Sequence, residues 1–402
     1  MKTRFLFAVI HDSVRRARAL AVGFLASVLL VTAATTATAA EANATANANG
    51  RWTEAKAAEW QARTGWLVGC NYGPAYAINQ LEMWQADTFD PAAIDREMAL
   101  AESLGFNSLR VFLHDLAWRE DPKGFIRRVD QFLDIAQKHR IGVLFVLFDA
   151  VWDPFPKAGP QRAPKPHVHN SGWVQSPGAE ILGNPARHDE LEPYVKAIVG
   201  KFRRDARVQA WDLFNEPDNP NTSAYGNVEL KNKAEMSLAL LEKTFRWARA
   251  ARPSQPLTSG VWIGNWPDPE RLTPTEKVQL EQSDVISFHC YGKLEELEKC
   301  VENLRRYHRP VLCTEYMARP AGSTFDPHLG WMKEHQVAAY NWGFVAGKTQ
   351  TNYPWDSWKQ AYTAEPPVWF HEIFRRDGSP YRPEEVAYIR KVTGWRGKTL
   401  GR

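Results

Sequence analysis

The sequence predicts an α/β protein whose main domain is a single (β/α)8 TIM barrel with a long loop after the third strand. From Gly65 onward, short apolar runs alternate with amphipathic helical stretches. The runs lack the polar alternation of a half-solvated strand, so they read as strands buried on both faces. Strand–helix repetition eight times over is the pattern of a closed parallel barrel. An open doubly wound sheet is the competing architecture, but no glycine-rich phosphate loop follows the first run.

The expected strands are Trp66–Asn71, Asn107–Leu113, Ile141–Phe148, Val208–Phe214, Pro256–Val261, Asp284–His289, Pro310–Glu315 and Val337–Trp342. All are rich in Val, Ile, Leu and Phe, with the short length typical of strands. Between them, Pro91–Leu104, Lys123–His139, Leu191–Arg203, Val228–Ala251 and Leu294–Arg306 space their apolar residues as a helix with one buried face does. The spacing is uneven in one place. Between Asp149 and about Arg187 lies a long stretch with Trp152, Pro154, Pro156, Pro160, Pro164, Pro166, His167, His169 and Trp173. Long loops of this kind in compact domains are functional or disordered. Its proline and aromatic content predicts an ordered wall beside a cleft, against the plainer reading of a surface excursion.

The first 39 residues read as a processing segment. Lys2, Arg4, Arg15, Arg16 and Arg18 make a basic start, Leu20–Val31 is apolar, and Ala37-Thr38-Ala39 offers a small-residue cleavage site. The alternative is an uncleaved anchor, because Leu20–Ala40 is long enough to span a bilayer. Thr and Ala dominate its second half, which favours cleavage and a secreted or periplasmic protein without a membrane contact. Residues 40–50 are low in complexity and read as a disordered leader, leaving residues 51–402 as one catalytic-size domain. The formal net charge is +4, and residues 1–39 hold five basic residues and one acidic one, so the remainder is near neutral. Nothing in it calls for nucleic acid as a partner. The four cysteines, Cys70, Cys290, Cys300 and Cys313, show no zinc spacing. Buried thiols are one expectation, and a Cys290–Cys300 bridge, on proximity in sequence, is the other.

Two lone carboxylates end strands of their own. Asn215-Glu216-Pro217 follows the fourth strand, and Glu315 closes the seventh. In a parallel barrel both strand ends lie on one face, so the two acids converge although distant in sequence. Paired carboxylates of this kind suit glycosidic bond cleavage, one as proton donor and one as nucleophile. The bland alternative for Asn-Glu-Pro is a strand-to-helix turn with Glu near a helix N-terminus. That does not account for the other strand ends, where Arg110, His289, Tyr291 and Trp342 fall together.

With these residues in place, the chain resembles the clan A retaining glycoside hydrolases, and within them family 5, which includes cellulases and mannanases. The resemblance extends over nearly all of residues 51–402 at clan level. It implies Glu216 as acid/base, Glu315 as nucleophile, Arg110 and Tyr291 as partners of the nucleophile, and Asn215 as ligand of the sugar 2-hydroxyl. It further implies His289 from a His-x-Tyr pattern and Trp342 as floor for the sugar being cleaved. The family histidine after strand three is missing: Phe148-Asp149-Ala150-Val151-Trp152 stands there, and His114 is the candidate substitute. The implied activity is hydrolysis of a β-mannan, β-glucan or β-xylan as an oligo- or polysaccharide, with no cofactor and no metal. A transglycosylase using the same acids and a silent glycan-binding barrel are the alternatives.

Seventeen tryptophans are many for this length, and sugar faces stack on aromatic rings. Trp152, Trp173, Trp262, Trp266, Trp342, Trp355 and Trp358 fall on expected loops or strand ends at the reactive face. Trp60, Trp211, Trp247, Trp369 and Trp395 read as packing. Lys348 and Gln350, after strand eight, are candidates for hydroxyl recognition. Gly347-Lys348-Thr349 is only the tail of a phosphate-loop motif, since Trp342 stands where the upstream glycine is required. His167 and His169 alternate as metal ligands could, but no third ligand accompanies them.

Overall fold

The structure, a computed structural model, describes residues 50–264 and 266–397. The expected signal (1–39) and all of the expected leader except Gly50 lie outside the described residues. The chain divides into two compact units, Met1–Lys56 and Ala57–Arg402. Of the first, the described part is residues 50–56, where the Lys56 ammonium sits 4.3 Å from the Trp52 ring centroid. The second is the barrel.

Its strands are β1 (Val68–Tyr72), β2 (Ser108–Phe112), β3 (Gly142–Asp149), β4 (Val208–Asn215), β5 (Leu257–Thr258), β6 (Ile286–His289), β7 (Val311–Tyr316) and β8 (Ala338–Asn341). Each overlaps one of the eight expected runs, with β5 reduced to two residues. They form one sheet in the order β5-β4-β3-β2-β1-β8-β7-β6, every paired neighbour parallel. The remaining seam, β5 to β6, closes through backbone bonds. Asp284 N donates to Leu257 O at 2.7 Å, Val261 N to Ser287 O at 3.1 Å, and His289 N to Val261 O at 3.1 Å. Leu257–Val261 pairs too sparsely to count as a long strand, yet it completes the ring.

The helices cover the outside. Pro91–Ser103, Pro122–Lys138, Glu192–Phe202, Lys233–Ala250 and Leu294–Arg305 realise the five expected stretches, with Lys233 starting later than Val228 because residues 222–232 turn instead. Their starts follow local chemistry: Asp90 and Asp121 accept hydrogen bonds from the first free N–H groups, each with proline in the first turn. Further helices at Pro274–Gln282, His328–Glu334 and Pro383–Thr393 follow β5, β7 and β8. Pro274–Gln282 begins in a Thr273/Glu276 capping box. Among the described residues no helix is long and apolar enough to cross a membrane.

All four cysteines are free thiols. The Cys290–Cys300 bridge is therefore not formed. Cys70 and Cys313 lie inside β1 and β7 as small apolar residues.

At Gly69 the β1 backbone meets β2 so closely that a Cβ would stand 1.6 Å from the Ser108 carbonyl oxygen. That neighbour is backbone and cannot rotate away. Gly69→Ala is expected to cost soluble, folded protein or to lower Tm by several degrees. Gly200→Ala, in a helix with open space around it, is expected to leave Tm unchanged or raise it, gaining up to about 1 kcal/mol. Thermal melts of the two variants check both.

Candidate active site

The C-terminal ends of the strands converge on a fully buried guanidinium. Arg110, on β2, donates Nε (3.1 Å) and Nη2 (2.8 Å) to Asp212 Oδ2 on β4. Nη2 also reaches Asn215 Oδ1 at 2.7 Å. Nη1 donates to Asn71 Oδ1 on β1 at 2.8 Å and to Glu315 Oε1 on β7 at 2.9 Å. All five N–H groups of the fork are thereby used. Asp212 and Glu315 hold the guanidinium firmly charged, against the opposing effect of its burial.

Glu315 accepts a second bond, from Tyr291 Oη at 2.8 Å to Oε2. Glu216 accepts from Asn219 Nδ2 at 2.6 Å on Oε2, and its Oε1 lies 2.7 Å from His289 Nδ1. The same Nδ1 is 3.5 Å from Glu315 Oε2, and one oxygen of each glutamate falls within 4.8 Å of the other. Burial pushes Glu216 up to about 7, with the Asn219 bond and the Arg110 charge pulling back. Burial also raises Glu315, while His289, Arg110 and the Tyr291 bond oppose the rise and the charge of Glu216 adds to it. Desolvation is the main cause of the rise on Glu216. Burial holds His289 neutral, down to about 4. Two similar acids thus sit in different settings: Glu315 is bound to a cation, whereas Glu216 is bound to neutral groups.

A cavity of about 210 Å³ opens over these groups. Glu216, Glu315, Asn215, Tyr291, Trp342 and Trp152 line it, as do Trp173, Trp262 and Trp355. Arg110 and His289 lie just beneath, 0% and 4% exposed. Other expected residues stand elsewhere. His114 does not line the cavity; its Nδ1 accepts from Leu116 N at 3.1 Å and starts the short helix Asp115–Glu120. Lys348 pairs with Glu82 instead of facing the cavity. Trp266 is buried against Phe288, its Nε1 on Glu276 at 3.1 Å. Trp358 stacks behind Trp152, ring centroids 5.8 Å apart.

Sequence reasoning missed several positioning residues. Asp149, where the family histidine is missing, lines the cavity and accepts from Trp173 Nε1 at 2.6 Å and from Asn215 Nδ2 at 3.0 Å. Burial pushes it up to about 6. Its signal was present, because it ends β3 as Glu315 ends an expected strand. Asn71 carried the same signal, ending the expected first strand, whereas Asp212 is a single polar residue inside an apolar run. Glu216, His289 and Glu315 offer three potential ligand atoms within 4.8 Å of one another. The Arg110 guanidinium at 2.9 Å already supplies the positive charge that a cation would bring there. His167 and His169 each donate Nδ1 to a different carbonyl, Tyr362 and Tyr353, at 2.7 Å.

No family model matches the sequence, and no curated protein is similar to it in sequence. Solved structures do share the fold. A variant of GH5_18 from Streptomyces cattleya, in complex with Manb1-4GlcNAc, aligns at TM-score 0.53 and 12% identity over 83% of this chain and 82% of that one. The exo-beta-1,4-mannosidase Op5Man5 from Opitutaceae bacterium strain TAV5 aligns at 0.52 and 19% identity, over 87% of this chain and 61% of that one. The endo-1,4-beta-D-mannanase from Thermotoga petrophila RKU-1 aligns at 0.51 and 13% identity, over 82% and 99%. These likenesses establish the barrel.

Arg110→Met strands Asp212 and Glu315 as buried, unpaired acids, so it is expected to cost about 3–5 kcal/mol of stability, read by denaturant unfolding. For Glu216→Gln the sign depends on pH. Below about 4.5 the carboxyl is protonated in both folded and unfolded chains. Between there and about 7 the unfolded chain ionises first, so stability falls as pH rises through the folded value. The amide variant escapes this loss. Its Tm is expected to exceed that of the unsubstituted protein at pH 8 and to match it near pH 4.

Proposed function

We propose that this protein is an exported retaining glycoside hydrolase acting on a β-linked glycan of the β-mannan, β-glucan or β-xylan class. The observation that carries the reading is the carboxylate pair, with oxygens within 4.8 Å of each other. That is close to the roughly 5–5.5 Å of retaining enzymes and below the 6.5–9.5 Å that inverting ones need for a water. The electrostatics support the same division. Glu216, up at about 7, holds a proton to give to the leaving oxygen. Glu315, hydrogen-bonded by Arg110 and Tyr291, attacks the anomeric carbon as a carboxylate. Glu216 then takes a proton from the water that frees the glycosyl-enzyme. Asn215, with its oxygen on Arg110 and one amide hydrogen on Asp149, keeps its other amide hydrogen for a sugar hydroxyl. Trp342 supplies a flat apolar face beside the acids. Export is part of the proposal and rests on the order of basic, apolar and small residues in positions 1–39.

Product release from β-mannan, β-glucan and β-xylan, and from aryl β-glycosides, is the test. Activity is expected on one of these classes, with the product formed in the β configuration as seen by NMR. Glu315→Gln should abolish it; full activity in that variant would sink the mechanism. Glu216→Ala should lose about 10²–10⁴-fold on natural linkages and far less on a glycoside whose leaving group needs no proton. The kcat/KM profile should fall as pH rises through about 7, where Glu216 loses its proton.

A further inference from the structure

The cavity is walled off on one side of the barrel mouth. The loop after β3 and the segment after β8 are joined above the strands that lie between them, β1 and β2. Asn170 N donates to Thr349 O at 2.7 Å, His169 N to Ser357 Oγ at 2.9 Å, and His167 N to Gln350 Oε1 at 2.8 Å. In the opposite sense, Gln350 Nε2 reaches Lys165 O at 2.7 Å and Trp358 Nε1 reaches His169 O at 2.8 Å. The loop after β1 locks onto both partners. Asn79 Nδ2 donates to Gly172 O at 2.9 Å, and Lys348 N to Ala75 O at 3.0 Å. Three loops thus interlock over β8, β1, β2 and β3. The loop after β4 is tied to the β3 loop at its base, by Trp152 N on Asn221 Oδ1 and Arg162 Nη2 on Tyr225 Oη, both at 2.9 Å, while its Ser223 and the Ile263 beyond β5 are exposed, beside Trp262 in the lining.

The acids give the closed side a direction. A proton donor must stand beside the leaving oxygen, so the leaving group lies on the Glu216 side, toward β4 and the open rim. The sugar attacked by Glu315 then lies toward the closed side. There the space ends in a smaller pocket of about 30 Å³ that shares Asn170, Trp173 and Trp342 with the main cavity. Asn170 is 1% exposed, yet neither its side-chain oxygen nor its nitrogen has a partner. Buried amides left unpaired in this way are rare and costly. In the smaller pocket Glu372 likewise leaves Oε2 unpaired, its Oε1 being held by Thr351. These groups face the place where the hydroxyls of an end sugar would sit.

Resting on the glycosidase reading above, we infer that the cleft is a blind pocket for the non-reducing terminal sugar, removing one unit at a time, and that Asn170 binds its hydroxyls. An internal cut needs chain on both sides of the acids, and the clasp leaves room on one side only.

The experiment follows the full-length enzyme on β-1,4-linked mannose, glucose and xylose hexaoses labelled at the reducing end. Early products are expected to be monosaccharide plus labelled pentaose, then labelled tetraose, with polymer viscosity unchanged while reducing sugar accumulates. Labelled dimers and trimers at the first time points would overturn the blind pocket and leave the glycosidase reading standing. No cleavage of any oligosaccharide, polymer or aryl β-glycoside would overturn both. Asn170→Gly keeps the left-handed backbone at this position (φ 50°) and removes the amide, and should lower kcat/KM for the terminal sugar about tenfold through KM, with the fold retained. An unchanged kcat/KM removes Asn170 from the recognition.

Discussion

Two acids at the centre of this barrel, Asp212 and Glu315, depend on the Arg110 guanidinium. It has no exposure to water, and a lone cation there would carry a desolvation penalty of several kcal/mol. Five hydrogen bonds to four residues on β1, β4 and β7 offset that cost. Because the partners sit on strands distant in sequence, the fork also sets the distances between strand ends. Asp212 takes two of the bonds on one oxygen, which leaves Nη1 free to hold Glu315 and Asn71. A lysine could not do this, having three donors on one rotating head.

Around that centre, environment separates two chemically similar acids. Glu315 shares its oxygens between a cation and a phenol. Glu216 is held by an amide and a neutral imidazole, so nothing opposes its burial strongly. Glu216 also has a left-handed backbone, φ 42°, where the chain leaves β4. Such a conformation in a residue with a Cβ is strained and is held only where surroundings impose it. Here the flanking Asn215 is pinned on both sides, by Arg110 and by Asp149. Asp149 in turn fixes Trp173, so Glu216, the Asn215 amide and an aromatic wall of the cavity are parts of one network.

The ends of strands were easier to read than the loops, for a physical reason. A strand end in a parallel barrel has one possible face, so Glu216, Glu315, Tyr291, Trp342 and Asn215 could be placed from sequence pattern alone. A loop residue has no such constraint. His114 and Lys348 have the chemistry of ligands, yet one caps a helix and the other pairs with Glu82, because those partners are local in space and invisible in sequence. Trp266 and Trp358 show the same limit: each follows a strand, but one turns into the core and the other backs Trp152. Asp149 is legible in principle, as an acid ending a strand.

The sequence by itself determined the barrel, its eight strands, five of its covering helices and the two glutamates. Those follow from local hydrophobic pattern and from the rule that all strand ends share one face. Only the tertiary structure decided which polar residues meet: Arg110 with Asp212 and Asn71, Asp149 with Asn215, and the clasp of His167–Asn170 against Thr349–Tyr362. Closing a ring brings residues more than a hundred positions apart within hydrogen-bond reach, and loop-to-loop bonds have no period that a sequence could display. The cysteines follow the same logic. Spacing could suggest a Cys290–Cys300 bridge, but all four are free thiols.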